Sequence, residues 1–274
     1  MTEKYTELRK QAQTSEEAFS RLWEIIKVLR RECPWDREQT YDSLVPCMLE
    51  EAYEAVDAVN KKDMVNLREE LGDVMLQVLM NSVIAEENGD FLLISVINDE
   101  CEKMIRRHPH IFSEENIKSI DKVLEKWENI KGKEKGTTTQ TAVLDNVPRA
   151  LPALTRGCKV QKKAADVGFD WDDVSGAFQK IKEETEELLA ASVSEDRAAI
   201  KDEVGDLLFS VVNAARFLNV DPEQALTGTT EKFIRRFSYV ERTAAEQGKD
   251  LRDMTLEEMD GLWDEAKMLE KVSK

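Results

Sequence analysis

The chain has 274 residues, of which 41% are hydrophobic and 35% charged, and its formal net charge at pH 7 is −17. This balance argues against a disordered chain. The negative charge argues against long DNA or RNA as a partner, because such binding depends on neutralising phosphates with lysine and arginine. No stretch is long and apolar enough to cross a bilayer, and the first residues show no secretory signal. We therefore expect a cytoplasmic protein without membrane contact.

Helical spacing dominates the sequence from its first predicted element. Phe19, Leu22 and Ile26 lie three or four residues apart on one stripe, and the same spacing recurs in later segments, whereas strand-like alternation is scarce. A polar stretch rich in glycine and threonine at 132–141 interrupts the pattern and precedes Pro148 and Pro152. It predicts a linker at 132–147 between helical modules at 1–131 and 148–274.

The two halves repeat one pattern of acidic residues. Residues 50–54 read EEAYE and are followed, after the fifteen residues 55–69, by ELGD. Residues 183–187 read EETEE and are followed, after the fifteen residues 188–202, by EVGD. Flanking landmarks recur in the same order, with PWD at 34–36 against GFD at 168–170, KMIRR at 103–107 against KFIRR at 232–236, and Trp127 against Trp263. The sequence therefore predicts an all-α protein of two tandem modules, each with about four helices.

Each repeat places four carboxylates on two neighbouring helices. Residues three or four apart share a helix face, and a short polar turn between the blocks favours an antiparallel hairpin. Clustered carboxylates repel one another unless a cation neutralises them, and an all-oxygen set favours Mg²⁺, Mn²⁺ or Ca²⁺ over zinc. The predicted metal ligands are Glu51, Glu54, Glu70 and Asp73 in the first half, and Glu184, Glu187, Glu203 and Asp206 in the second.

Two other interpretations of these acids compete with a magnesium site. A solvated acidic helix face is the ordinary one, but the second block of each pair lies among apolar residues, and the pattern occurs twice. Gly72 and Gly205 also occupy helix-interior positions, where a glycine suggests close approach by a backbone or a ligand. A di-iron bundle requires Glu-x-x-His pairs, and the two histidines, His108 and His110, form none.

Three further motifs are specific enough to compare with a known family: CPWDREQT at 33–40, RRHPHIF at 106–112 and VGFDW at 167–171. With these, the chain resembles the MazG family, within the all-α NTP pyrophosphatase superfamily, over essentially its full length. The resemblance implies hydrolysis of nucleoside triphosphates at the bond between the α and β phosphates, with broad base tolerance and with Mg²⁺, or Mn²⁺ in its place. It also implies a homodimer.

The resemblance further implies roles for individual residues. Glu184, Glu187, Glu203 and Asp206 become catalytic metal ligands, and Glu183 either contacts metal or orients the attacking water. The implied substrate-binding residues are Lys159, Lys162, Lys232, Arg235, Trp263 and Lys267. Surface ion pairs around a core tryptophan are the alternative interpretation of that set.

The halves differ in charge, and the difference bears on activity. Ile25 and Val28 stand at the positions that match Lys159 and Lys162, so the first half offers a triphosphate no charge there. We therefore expect the second half to be the main catalytic module. A helical regulatory or nucleotide-binding scaffold without turnover is the competing hypothesis.

Overall fold

A computed structural model describes residues 5–113, 119–134, 136, 139–194 and 196–272. These ranges contain helices and turns and no strand. The chain divides into two compact units, residues 1–131 and 132–274. The predicted all-α fold with tandem helical modules is confirmed. Within the described ranges, no helix combines the length and apolarity needed to span a membrane.

The first unit is built around a long helical hairpin. Its helices are α1 (Thr6–Arg9), α2 (Ser15–Glu32), α3 (Pro34–Arg37), α4 (Tyr41–Lys61), α5 (Met64–Asn88), α6 (Leu93–Arg107), α7 (Pro109–Phe112) and most of α8 (Ile120–Glu134). Helices α4 and α5 pack along their length, and α2 packs against α5. The apolar stripe of α2 predicted from the sequence thus covers one side of the hairpin, and its Ile26 is fully buried.

The turn of this hairpin is set by local chemistry. Lys62 ends α4 in the left-handed region, with φ of 58°. Asp63 then caps α5, because its carboxylate accepts hydrogen bonds of 3.1 Å from the backbone N–H groups of Val65 and Asn66. The tight reversal makes α4 and α5 antiparallel, so that the acidic blocks of the two helices come face to face.

Arg30 fixes the segment that carries the CPWD motif. The buried guanidinium forms an ion pair of 2.6 Å with Glu87 of α5 and donates hydrogen bonds to the backbone carbonyls of Asp36, Arg37 and Gln39. One side chain of α2 therefore satisfies the carbonyl groups at the end of α3 and ties them to the hairpin. The motif has a structural role that its sequence alone does not reveal.

The second unit repeats the hairpin. Its helices are α9 (Gln140–Asp145), α10 (Ala153–Ala165), α11 (Val174–Ser194), α12 (Arg197–Phe217), α13 (Pro222–Glu246) and α14 (Leu256–Val272), with a 3-10 turn at Leu251–Asp253. Helices α11 and α12 form the hairpin, and α10 packs against α12 and α13. Asp196 caps α12 as Asp63 caps α5, with its carboxylate accepting from the N–H groups of Ala198 and Ala199.

The segment predicted as a linker is partly helical. Helix α8 continues to Glu134, and α9 begins at Gln140, where the backbone N–H of Ala142 donates to the Thr139 hydroxyl over 3.2 Å. The Gln140 side chain donates to the carbonyl of Lys163 in α10. Thr139, which the sequence placed in a polar linker, is thus a helix cap. The end of this segment packs on the second unit.

Candidate metal centre

Three carboxylates of the first unit meet where α4 faces α5. Oxygens of Glu51, Glu54 and Glu70 all lie within 4.8 Å of one another. The glutamates of α4 are separated by three positions and project from one face, while Glu70 reaches them from the second turn of α5. Glu70 is buried, Glu51 is half-buried and Glu54 is exposed.

The first cluster is electrostatically unfavourable when its carboxylates are ionised. Loss of solvent and the nearby negative charges of Asp73 and Glu54 raise the pKa of Glu51 above its ordinary value. The same two causes, with Glu54 as the leading charge, raise the pKa of Glu70. Asp73 is close enough to act on both groups, although it is outside the set within 4.8 Å. A cation placed among these oxygens would remove the repulsion.

The second unit brings five carboxylates into two overlapping sets. Oxygens of Glu184, Glu203 and Asp206 lie within 4.8 Å of one another, as do those of Glu183, Glu184 and Glu187. Burial, followed by the charge of Glu184, raises the pKa of Glu187. All five acids predicted for this half are therefore adjacent, and the hairpin of α11 and α12 is what joins them.

Glu184 belongs to both sets and is the most deeply placed acid of the site. The residue is 3% exposed, and its Oε2 atom is buried without a hydrogen-bond partner. A buried carboxylate oxygen without a partner is costly unless a ligand supplies one. The donors around it are all hard oxygens, which suits Mg²⁺, Mn²⁺ or Ca²⁺ and not zinc. The residues present therefore fit a divalent cation.

Lys180 is a member of this site that the sequence reasoning missed. Its Nζ lies 2.7 Å from a Glu183 oxygen and also forms an ion pair with Oε1 of Glu184. Those hydrogen bonds raise the pKa of the lysine above its ordinary value. The signal was present in the sequence, because Lys180 precedes the two glutamates by three and four positions and must share their helix face.

The helix-interior glycines do not mark a close approach between backbones. A Cβ added at Gly72 or at Gly205 would meet no heavy atom within 4 Å among the described residues. The expected approach by another backbone is therefore wrong for the single chain. Both positions face open space beside the acidic clusters.

The two lysines predicted on α10 lie on its exposed side. Lys159 and Lys162 are three positions apart, and both are solvent-exposed. Neither forms an ion pair with a carboxylate within the described ranges. Their charges are available to an anion, but the structure does not bring either into contact with the acidic cluster.

The other four substrate-binding candidates lie on α13 and α14. Arg235 pairs with Glu270 at 2.7 Å, and Lys267 pairs with Asp264 at 2.9 Å. Trp263 is half-buried, lies 5.0 Å from the ring of Phe233 between centroids, and packs against the core of this helix pair. Lys232, also half-buried, completes the set. These contacts match the alternative interpretation, in which surface ion pairs surround a core tryptophan. A role of the four residues in substrate binding stays a prediction.

Comparison with a family model places both clusters in one type of domain. The model of the MazG nucleotide pyrophosphohydrolase domain matches residues 39–112 and again residues 173–240. Each match spans one complete hairpin with its carboxylates. The chain belongs to the MazG family. Membership confirms the predicted family and the prediction that the chain is an enzyme of the nucleotide pyrophosphohydrolase class.

Relatives of known name extend over nearly the whole chain. The chain is 41% identical to a nucleoside triphosphate pyrophosphohydrolase of Escherichia coli, over 92% of this chain and 98% of that protein. It is 42% identical to a nucleoside triphosphate pyrophosphohydrolase/pyrophosphatase MazG of Thermotoga maritima, over 91% and 95%. A Bacillus subtilis protein, YabN, is 47% identical over 93% of this chain, which spans 53% of that protein. Alignments of this extent include most of both units of the chain.

Proposed function

We propose that the protein hydrolyses nucleoside and deoxynucleoside triphosphates between the α and β phosphates, releasing a nucleoside monophosphate and pyrophosphate. The names of its relatives support the substrate class. The observation that carries the proposal is the buried, unpartnered Oε2 of Glu184 inside a group of five carboxylates. Such a site suits a magnesium ion that also binds a polyphosphate. Broad base tolerance, Mn²⁺ as a substitute and a cytoplasmic location remain predictions.

The carboxylates of the second unit would have two roles, binding metal and positioning water. Glu184, Glu187, Glu203 and Asp206 would hold Mg²⁺, which when bound polarises phosphoryl oxygens and lowers the pKa of water. Glu183, at the exposed margin of the cluster, would contact metal or orient the attacking water. No covalent nucleophile is needed, because the residues have only to orient water and substrate and to neutralise charge.

Cationic side chains favour the second unit as the catalytic one. A triphosphate gains negative charge at the leaving group during cleavage, so lysine or arginine must approach the site. Lys159 and Lys162 are exposed on α10, while the matching Ile25 and Val28 of α2 are apolar and half-buried. Of the four further candidates on α13 and α14, Lys232, Arg235 and Lys267 would add positive charge, and Trp263 would stack a base or ribose.

Product analysis tests the proposed bond. The purified full-length protein should convert each nucleotide of an NTP and dNTP panel, with Mg²⁺ present, into equimolar monophosphate and pyrophosphate, as resolved by ion-exchange chromatography and ³¹P NMR. Added chelator should stop the reaction. Release of orthophosphate and a diphosphate would contradict cleavage between the α and β phosphates.

A scaffold that binds nucleotide without turnover is the second candidate, favoured by the missing lysines of the first unit. Glu184→Gln with Glu187→Gln separates the two functions. An enzyme loses turnover and keeps its assembly state, whereas a scaffold behaves as before. The matched control is Glu51→Gln with Glu54→Gln, which makes the same change in the first unit.

We further propose that the chain forms a homodimer through its hairpins. Leu208 and Phe209 of α12 are 50% and 46% exposed, and Met75 of α5 is 45% exposed. Val74, Leu76 and Leu207, the other members of the two apolar runs, are half-buried. Exposed apolar rows of this kind are typical of surfaces that a second subunit covers.

The assembly state tests the proposed homodimer. Light scattering after gel filtration should give twice the chain mass, and Leu208→Glu should give a monomer. A monomeric wild type would contradict the proposal.

A further inference from the structure

The carboxylate cluster of the second unit includes one positive charge from the chain itself. The Lys180 ammonium group bonds to Glu183 over 2.7 Å and pairs with Oε1 of Glu184, whose Oε2 has no partner. The buried carboxylate of Glu184 therefore pairs with a lysine through one oxygen and has no hydrogen-bond partner on the other. A single charge of +1 does not neutralise five acids, so the cluster is only partly compensated.

The first unit builds the same hairpin without such a lysine. Cys47 stands four positions before Glu51, as Lys180 stands four positions before Glu184. Within the described part of the chain, no lysine or arginine forms an ion pair with Glu51, Glu54 or Glu70. The lysine is thus not required for the helices to pack or for the carboxylates to converge.

We propose that Lys180 is a resident countercharge that a divalent cation must displace, so that this lysine lowers the metal affinity of the second-unit site. The inference rests on the proposed function, which places the metal there. An ammonium group and a divalent ion that share the carboxylate of Glu184 lie within a few ångströms and repel each other. At that separation the repulsion is large enough to change affinity by about tenfold.

The exposure of the two partners decides which of them moves. The side chain of Glu184 is 4% exposed and is held inside the hairpin, whereas that of Lys180 is 36% exposed. Lysine also has a flexible four-carbon stem, so it can swing into solvent without disturbing the helices. Metal binding would release the lysine and leave the glutamate in place, and the site would fill only at the higher cation concentrations that displace it.

Manganese binding to the full-length protein tests this proposal without measuring activity. The background carries Glu51→Gln and Glu54→Gln, so that binding reports the second unit. Free Mn²⁺ is followed by its electron paramagnetic resonance signal during titration. Lys180→Gln in this background should bind Mn²⁺ about tenfold more tightly, because the competing charge is gone.

Lys182→Gln is the matched control for net charge. Lys182 lies two positions further along α11, is exposed, and makes no ion pair in the described residues. Its removal should change the Mn²⁺ affinity by less than about twofold, since exposed charges are screened. Equal effects of the two variants, or an unchanged or weaker affinity in Lys180→Gln, would overturn the inference and leave the proposed function intact. Folded protein that binds no Mn²⁺ in any variant would overturn both.

Discussion

The guanidinium of Arg216, at the end of α12, lies 2.5 Å from the carboxylate of Asp170 in the GFDW segment. Both side chains are mostly shielded, at 15% and 22% exposed. Arg216 also donates to the side chain of Asn213. The pair joins the segment after α10 to the far end of the hairpin, as Arg30 joins CPWD to the hairpin of the first unit. The recurring aspartate motif therefore marks an anchor point.

Breaking this pair should destabilise the second unit. Arg216→Ala should lower the free energy of unfolding by about 1–3 kcal/mol, because a shielded carboxylate loses a charged donor. Urea unfolding of Arg216→Ala, Asp170→Ala and the double variant measures the effect. The double variant should be less destabilised than the sum of the two single ones, since both remove one interaction. Strict additivity would show that the pair contributes nothing.

Matched aspartates separate the activities of the two units. Asp206 belongs to a set of oxygens within 4.8 Å, whereas Asp73 does not. Asp206→Asn should reduce kcat at least about 100-fold, comparable to the loss of one electrostatic stabiliser of a transition state. Asp73→Asn should change kcat by less than about twofold, because it removes no stabiliser from the catalytic unit. Steady-state pyrophosphate release measures both, and the reverse order of effects would place catalysis in the first unit.

Divalent metal should stabilise the fold in a pH-dependent way. Calorimetry should show a higher Tm with Mg²⁺ than with chelator. When metal is at 100 times its Kd, one bound ion should raise the free energy of unfolding by about 2.7 kcal/mol. The pKa values of Glu51, Glu70 and Glu187 are raised, so protons compete with metal above the ordinary carboxyl range. The metal-induced rise should shrink as pH falls through those raised values. A rise that is constant with pH would contradict this.

Two glycines of the second hairpin should respond oppositely to alanine. A Cβ at Gly176 would lie 2.6 Å from Cδ1 of Trp171, whereas one at Gly205 would meet nothing. Gly176→Ala should lower the free energy of unfolding by about 1–3 kcal/mol and shift the tryptophan fluorescence, because the ring must move. Gly205→Ala should raise it by up to about 1 kcal/mol, through helix propensity. Thermal unfolding of both variants is the measurement, and a stabilised Gly176→Ala would contradict the packing.

The start of α14 should lose stability in acid. Hydrogen bonds from Lys249 and from the backbone of Thr255 lower the pKa of Glu258 from 4.5 to about 2. Because the folded value is the lower one, the stabilisation is complete above the unfolded pKa and is lost as pH falls toward 2. Wild type should therefore exceed Glu258→Gln in stability at pH 7, with the difference closing between pH 4.5 and 2. Denaturant midpoints across this range test it, and a gap that persists at pH 2 would contradict the assignment.

Periodicity and repetition were enough to predict the helical class, the two hairpins and the convergence of the acids. Those features depend on spacing within one helix and on short turns, which a sequence shows directly. The contact of Arg235 with Glu270 joins residues 35 positions apart, and the difference between Asp73 and Asp206 is one of side-chain placement. Such contacts depend on tertiary packing. Lys180 was different, since its spacing from Glu184 made it predictable.

The attachment of α9 to the second unit has a practical consequence for dissecting the protein. Val147, just before Pro148, is 6% exposed, and Gln140 reaches the carbonyl of Lys163. A truncation that starts at Pro148 removes both residues, together with helix α9, which packs against α10. Half-length versions should instead begin upstream of Thr139, and poor behaviour of a shorter one would reflect a misplaced cut.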